Sequence, residues 1–334
     1  EGALGGYRIA APMLDIHSIG AGGGSIGWID TGGMLRMGPQ SAGADPGPAC
    51  YDKGGTQPTC TDANLVLGYL GADEPLAGRI RLDTAKARGT IQEYIAGPLG
   101  LSVEQAAAAM YDVINVNMAA GIQEVTVKRG VDPREFLLVV AGGAGPVHAG
   151  MVALELGIGA IVIPRESSVF CAVGMLISDF RHDFVRAFHG AAAAFDFEAL
   201  QTDLREMSAA GQRMLSREGV ADADIQVEHS ADMRYVGQFF DVNVPMDEAI
   251  VQGGDRRRLL ERFHAIHDRL YGYALPEAAA EIVNVRTKVV GRTQGLTFQR
   301  QPVSAPQPRR ARKGDRPVYL PVQRQVDAVA VFDG

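Results

Sequence analysis

Residues 13–51, MLDIHSIGAGGGSIGWIDTGGMLRMGPQSAGADPGPACY, constrain the fold more than any other part of the chain. An apolar run at 13–19 leads into Gly20-Ala-Gly-Gly-Gly-Ser25. A second apolar segment at 26–29 meets the turn Asp30-Thr-Gly-Gly33, and a third segment follows. The pattern predicts strand, glycine loop, strand, turn, strand. Three consecutive glycines, Gly22, Gly23 and Gly24, let a backbone approach a ligand closely and aim several N–H groups at an anion. Ser25 adds a hydroxyl at the loop exit. A nucleotide phosphate suits such a loop; a ligand-free glycine hairpin is the alternative, and this segment alone weighs the two evenly.

Charge and cysteine usage narrow the rest. A net charge of −7 over 334 residues argues against nucleic acid or an anionic membrane as the main partner. No apolar run approaches the roughly 20 residues that cross a bilayer. The opening EGALGG lacks a basic n-region and an apolar h-region, so no secretory signal is expected. Cys50, Cys60 and Cys171 are odd in number and form no C-x-x-C pair, which disfavours a disulfide scaffold or zinc ribbon and fits a cytoplasmic location. Cys171, within SSVFCAVGML, reads as a buried thiol. Arg309, Arg310, Arg312, Lys313 and Arg316 form a basic cluster in a Pro/Gln-rich stretch that reads as solvated linker.

Further along, QPTCTDANLVLGYL predicts a short helix capped by Thr61 or Asp62. Ser102-Val-Glu-Gln105 has the form of a capping box. The helix after it places Ala106, Met110, Val113, Ile114, Asn117, Met118, Gly121, Ile122 and Val125 at intervals of three to four, marking one buried face. It should end near Lys128-Arg129-Gly130. FLLVVA at 136–141 reads as a strand buried on both faces. The loop Gly142-Gly143-Ala144-Gly145-Pro146 follows, then a helical pattern at 147–156 and another strand at 160–164, a β–α–β unit. A glycine turn between a buried strand and a helix N-terminus is where open α/β sheets bind ligands. The loop has neither G-x-G-x-x-G nor Walker A spacing. Beyond about residue 190 a helix at 197–218, strands at 225–230 and 232–245, a helix at 255–270 and a strand at 281–291 suggest an α+β part with a mixed sheet.

Two glycine loops separated by a long helix resemble the second half of an actin-like (ribonuclease H-like) ATPase domain. The segments DIHSIGAGGGSI, GPQSAGADPGPACY, TDANLVLGYL, GGAGPVHA, CAVGMLISDFRHDFVR, DMRYVGQ and FHAIHDRLYGY further resemble the hydantoinase A / 5-oxoprolinase family, which includes the ATP-dependent ketone carboxylase subunits. The resemblance implies an α/β lobe with a mixed sheet over 1–190, an α+β part over 191–300 and a linker opening a truncated region at 301–334. It implies ATP with Mg²⁺ or another divalent metal, phosphorylation of a cyclic amide carbonyl of hydantoin or 5-oxoproline type, and hydrolysis of the activated ring. A companion large hydantoinase B-type subunit or domain is implied as partner. A ketone carboxylase subunit and a non-catalytic assembly subunit stand as alternatives. Actin-like enzymes open with a separate Asp-x-Gly-Gly-Thr hairpin, absent here, so the expectation is an inactive fragment lacking its first lobe. The acid that often precedes the second phosphate loop is replaced by Gly20.

On the resemblance, Gly22, Gly23, Gly24, Ser25, Gly142, Gly143, Ala144 and Gly145 hold the nucleotide. Asp15 and His17 alternate along a strand and so share a face beside the first loop. They are candidates for metal ligation or proton handling, against a structural Asp–His hydrogen bond. Asp45, in a turn stiffened by two prolines, is a candidate on the substrate side. His148, in the first helical turn after GGAGP, either meets nucleotide or substrate or packs the helix start. Arg234 and Gln238 share a strand face by period two and suit a carboxylate or ring amide, or structural pairing with Asp232 or Asp241. His264 and His267, at i and i+3, read as solvated rather than metal-binding.

Overall fold

The computed structural model describes residues 2–4, 7–9, 16–73, 75–76, 78–293, 295 and 311–332. Asp15, Arg309 and Arg310 lie outside the described residues. The chain divides into two compact units. One comprises residues 14–172 and 299–334, the other 1–13 and 173–298. Strands β1 (Gly2–Leu4) and β2 (Tyr7–Ile9), an antiparallel hairpin, group with the second.

In the first unit the chain from Ile16 to Ile19 is not strand, so the glycine loop precedes β3 (Ser25–Ile29) rather than joining two strands. β3 pairs with β4 (Leu35–Ser41) across the turn closed by Asp30, whose carboxylate accepts from the N–H groups of Gly32 and Met34. Helix α1 (Cys60–Val66) starts two residues earlier than its sequence suggests. The cap is Thr59, whose hydroxyl accepts from Asp62 N–H while the Asp62 carboxylate accepts from Thr59 N–H, a reciprocal capping box. Asp62 is fully buried and accepts further bonds from Thr59 Oγ1 (2.7 Å), Cys50 N (2.8 Å) and Ala49 N (3.3 Å). One carboxylate thus folds the PACY turn at 48–51 onto the start of α1.

Helix α2 (Thr84–Ile91) continues through a wide turn into α3 (Gly97–Leu99). The long helix α4 (Val103–Thr126) has the expected capping box between Ser102 and Gln105, and its end passes through a 3₁₀ turn to Gly130 at φ 73°. Its buried Ala106, Met110, Tyr111 and Ile114 form a core with Cys60, Ala63, Leu67, Ile91 and Ile95. Strand β5 (Leu138–Val139) and β6 (Ile161–Val162) run parallel on either side of α5 (Gly145–Leu156), completing the β–α–β unit. The expected two-sided burial is not found. Phe136, Leu137, Val139, Val162 and Ile163 are exposed. Helix α6 (Phe170–Ile177) carries Cys171, which is exposed rather than buried because its apolar neighbours Met175 and Leu176 also face outward.

The second unit is a four-stranded antiparallel sheet in the order β7 (Phe180–Ala191), β10 (Ala280–Gly291), β8 (Ile225–Tyr235) and β9 (Val242–Met246). β8 runs unbroken through Ala231, and the turn to β9 falls at 236–241 instead. Helices α7 (Phe197–Arg217), α8 (Glu248–Gly253) and α9 (Arg256–Tyr271) supply Leu200, Leu204, Ile250, Leu259 and Phe263 to a core shared with Met233, Val244 and Ile282. Period-two burial along β10 and the apolar stripe of α9 give this core from sequence pattern alone.

The basic stretch near the C-terminus is strand from Arg312 rather than linker. β11 (Arg312–Leu320) and β12 (Gln325–Phe332) form a hairpin in the first unit. Tyr319 N–H donates to Leu67 O at 2.9 Å, and Gly68, at φ +80°, lets the Pro317 carbonyl approach where a Cβ would sit 2.2 Å from its oxygen. No described helix is long and apolar enough to cross a membrane.

Replacing Asp62 by Ala leaves four buried donors without an acceptor. At roughly 1–3 kcal/mol for each stranded buried group, Asp62→Ala should cost at least about 4 kcal/mol. A urea unfolding midpoint equal to wild type would refute the organising role of this carboxylate.

Candidate functional site

The first glycine loop is held from within. Ser25 Oγ accepts from Gly22 N–H at 2.9 Å and donates to Gly20 O at 3.1 Å, while Ser25 N–H closes the turn on Gly22 O. Ser25 is therefore a clasp for the loop, with its hydroxyl turned inward. The loop is also anchored from outside. Gly23 O accepts from Thr61 N–H (2.8 Å) and Thr61 Oγ1 (2.9 Å), and Gly24 O accepts from Ala42 N–H. Among the described residues, the N–H groups of Gly23 and Gly24 have no hydrogen-bond partner. Both residues are partly exposed, so these donors can meet a ligand.

The second loop has the same character. Gly142 N–H is bonded to Ser167 O, but the N–H groups of Gly143, Ala144 and Gly145 have no partner among the described residues. α5 begins without a side-chain cap, and Pro146 in its first turn has no N–H to offer. The open end of this 12-residue helix presents its dipole and free donors to whatever anion reaches it.

One buried cluster ties the two loops to the same helix. Thr61 and Cys60, adjacent on α1, face opposite duties: Thr61 holds Gly23, while Cys60 Sγ lies 3.5 Å from His148 Nε2 on α5. Asn64 Nδ2 donates to the same nitrogen at 3.2 Å. On its other side His148 Nδ1 donates to Asn115 Oδ1 of α4 at 2.9 Å. Tyr111 stacks on the imidazole at 5.1 Å between centroids and donates from its hydroxyl to Val147 O. The partners fix the tautomer, with the proton on Nδ1 and Nε2 as acceptor. Burial pushes the imidazole down to about 4 and the Cys60 thiol up to about 12, so both are neutral. His148 is 2% exposed and both its ring nitrogens are engaged. Of the two expectations for His148, this burial favours packing of the helix start over contact with nucleotide or substrate.

The remaining candidates separate from this arrangement in informative ways. His17 is exposed and pairs with Glu124 at 3.3 Å; its expected partner Asp15 is outside the described residues. Among the described residues no group of three His, Cys, Asp or Glu side chains could hold a metal ion. Asp45 stands exposed at the tip of a turn closed by Gly47 N–H on Ala42 O, and Ala42 is bonded to Gly24. That turn is tied to the first loop through its backbone, and the Asp45 carboxylate has no ion-pair partner among the described residues. Arg234 pairs with Glu281 at 2.8 Å rather than with Asp232, which is committed to Arg286. β8 ends at Tyr235 and Gly237 turns the chain at φ +91°, so Gln238 does not continue the strand face of Arg234. Instead Gln238 donates to Tyr273 Oη and lies 3.3 Å from His267 Nε2. His267 is buried, not solvated, with Nδ1 on Tyr273 O, and His264 Nδ1 meets Tyr235 Oη at 2.7 Å.

With two donor-lined loops anchored on one helix end, the comparisons with known proteins become specific. The hydantoinase/oxoprolinase family model matches residues 1–184, and the hydantoinase/oxoprolinase C-terminal domain matches 189–332. The chain belongs to the hydantoinase/oxoprolinase family. It is 40% identical over 291 residues to caprolactamase subunit alpha of Pseudomonas jessenii, covering 86% of this chain and 42% of the relative. It is 38% identical over 240 residues to the acetophenone carboxylase gamma subunit of Aromatoleum aromaticum, covering 70% of this chain and 32% of that subunit. The crystal structure of the ATP-dependent caprolactamase matches with a TM-score of 0.69 and 37% identity over 98% of this chain and 48% of the other. Nucleotide-free acetone carboxylase shares the α/β fold, with a TM-score of 0.83 at 24% identity over 93% of this chain and 46% of that one. The chain thus spans less than half the length of each of these relatives.

Within this family frame, Asn64 and Asn115 have no role in the sequence expectations, and Thr61 and Asp62 have only that of a helix cap. TDAN was visible as a helix start, but nothing in its spacing indicates that its side chains reach residues 23, 50 and 148.

The low pKa of His148 has a direct consequence for stability. The unfolded chain takes up a proton near pH 6.5 that the folded imidazole refuses until about pH 4. His148 therefore supports the fold fully above pH 6.5, and that support is lost as pH falls toward 4, on the order of 3 kcal/mol in all. Urea midpoints at pH 7, 5.5 and 4.5 should show the gap between wild type and His148→Phe closing as pH falls. A constant gap would contradict a buried neutral imidazole.

Proposed function

We propose that this chain carries the nucleotide-binding part of an ATP-dependent enzyme that activates the carbonyl of a small cyclic amide for hydrolysis, of hydantoin or 5-oxoproline type. The observation that carries the reading is the pair of open N–H sets, on Gly23–Gly24 and on 143–145, fixed to one helix by Thr61 and His148. Free backbone N–H groups on glycine loops donate to phosphate oxygens at the short range that side chains deny. Support also comes from the relative named as an ATP-dependent caprolactamase, 37% identical across nearly all of this chain.

The chemistry follows from what an amide lacks. Resonance keeps a lactam carbonyl a poor electrophile, and transfer of phosphate to its oxygen creates a leaving group and a carbon that water attacks. Such transfer asks the protein mainly for alignment and for neutralisation of charge on the moving phosphoryl group. The two loops supply neutral, preorganised donors for that purpose. Asp45, exposed in the turn that Ala42 ties to the first loop, acts on the substrate side, orienting a water or a ring N–H. His17, paired with Glu124, keeps both of its roles in this reading, proton handling and, with Asp15, metal ligation. Among the described residues no three His, Cys, Asp or Glu side chains gather into a metal site, and no step here runs through a cation; Mg²⁺ carried by ATP takes most of its ligands from phosphate and water. The activity of a ketone carboxylase subunit shares the same first requirement, and the 38% identity to the acetophenone carboxylase gamma subunit favours it as the second reading.

The partner reading rests on β5 and β6. Parallel strands are normally covered on both faces, yet Leu137, Val139, Val162 and Ile163 are exposed. A companion large subunit or domain, of hydantoinase B type, would cover such a surface. Three unpaired cysteines and dependence on ATP are in keeping with the cytoplasm.

The loop assignment is best tested where a side chain fits the protein but not a ligand. A Cβ on Gly22 or Gly143 meets no protein atom within 4 Å, whereas one on Gly23 would lie 2.7 Å from Thr61 Oγ1 and disturb the fold. Gly22→Val and Gly143→Val, in the chain assembled with its companion subunit, should each lower ADP affinity at least tenfold with an unchanged unfolding midpoint. They should also suppress ATP consumption driven by a cyclic amide. Wild-type ADP affinity in both variants would overturn the nucleotide assignment, and ATP consumption driven by a ketone with bicarbonate instead would establish the second reading.

A further inference from the structure

We infer that His148 is a positioning residue for the proposed nucleotide site, setting the placement of one glycine loop relative to the other without touching the ligand; this rests on the nucleotide reading above. The path is short and continuous. Gly23 O is bonded to Thr61, Thr61 precedes Asn64 by one helical turn on α1, and Asn64 Nδ2 donates to His148 Nε2. His148 lies three residues after Gly145, in the turn of α5 that carries the second loop. Cys60 adds its sulfur to the same nitrogen at 3.5 Å.

The rest of the cluster makes His148 the hinge point rather than one contact among many. Asn64 Oδ1 and Asn115 Nδ2 are buried and have no partner among the described residues. Each amide is therefore oriented by the half that meets the imidazole. The two sides of the ring also do different work. Nε2 joins α5 to α1 and so to the first loop, whereas Nδ1 joins α5 to α4. Phosphoryl transfer depends on alignment, and a displacement of about 1 Å can cost on the order of 10²-fold in rate. A link between two phosphate-facing loops should thus be felt in turnover before it is felt in folding.

That division gives a test which simple destabilisation cannot mimic. A Gln side chain places its amide oxygen where Nε2 was and keeps the α1 link; an Asn side chain reaches only the Nδ1 position and keeps the α4 link. In the chain assembled with its companion subunit, His148→Gln should retain ADP affinity within about threefold of wild type, whereas His148→Asn should lose tenfold or more. His148→Phe, which preserves the stack on Tyr111, should lower kcat for ATP at least tenfold and leave the KM for the cyclic amide unchanged. Val152→Ala, an equally buried change on the same helix, supplies the comparison for lost packing. If His148→Phe fails to fold, the contrast between Gln and Asn carries the test. Equal losses in Gln and Asn, or kinetics in His148→Phe that match Val152→Ala, would overturn the positioning role. A wild-type assembly that neither binds ADP nor consumes ATP would overturn the nucleotide reading itself, and the two failures are thereby distinct.

Discussion

The Asp62 carboxylate is the interaction on which the first unit depends. It is buried, takes four donors from residues 49, 50 and 59, and forms no ion pair among the described residues. A buried carboxylate satisfied by hydrogen bonds alone demands that every donor stay in place, because each one lost raises the cost of the charge. The donors come from a turn and a helix start that also pack through Cys50 and Leu65, and the carboxylate fixes their mutual placement. Once they meet, Thr61 and Asn64 project from a fixed helix end, and the geometry of both glycine loops follows. Rigidity at the loops originates in a side chain that no ligand would touch.

This arrangement explains how loops rich in glycine can be preorganised. Glycine brings conformational freedom, which opposes the fixed donor placement an anion site requires. The structure removes that freedom from the carbonyl side. Gly20, Gly22, Gly23 and Gly24 each have a carbonyl bonded inward, to Ser25, Thr61 or Ala42, and the N–H groups of Gly23 and Gly24 remain turned away from those bonds. Binding energy then need not be spent on ordering the loop.

Local signals in the sequence carried much of this. The capping box at Ser102, the glycine stop at Gly130, the β–α–β order around GGAGP and the helix at 255–270 are short-range patterns, and each is present as expected. What failed depended on distant partners. Thr59 rather than Thr61 caps α1 because the choice is made by Asp62 and the PACY turn, not by propensity. FLLVVA has the composition of an interior strand, yet composition says nothing of which faces are covered. His148 and His267 were placed by type, whereas their burial is set by Asn64, Asn115, Gln238 and Tyr273, residues far off in sequence. Of the proposed nucleotide site, the loops were legible and the struts between them were not.

The C-terminal hairpin has a consequence for how the protein is made. Arg316 reaches the carbonyl of Tyr69 across 247 positions, and Tyr319 bonds to Leu67, so the first unit closes only with its last segment. Residues 173–298, lying between, have a core of their own. On the ribosome residues 173–298 emerge before β11 and β12, so residues 14–172 wait for those strands while the intervening core is already complete. Closing so long a loop costs little extra free energy, since that cost grows only with the logarithm of length, but it orders events in time. The α1 end around Gly68 stays uncovered through most of synthesis, and a chain cut short before residue 312 would leave it so permanently.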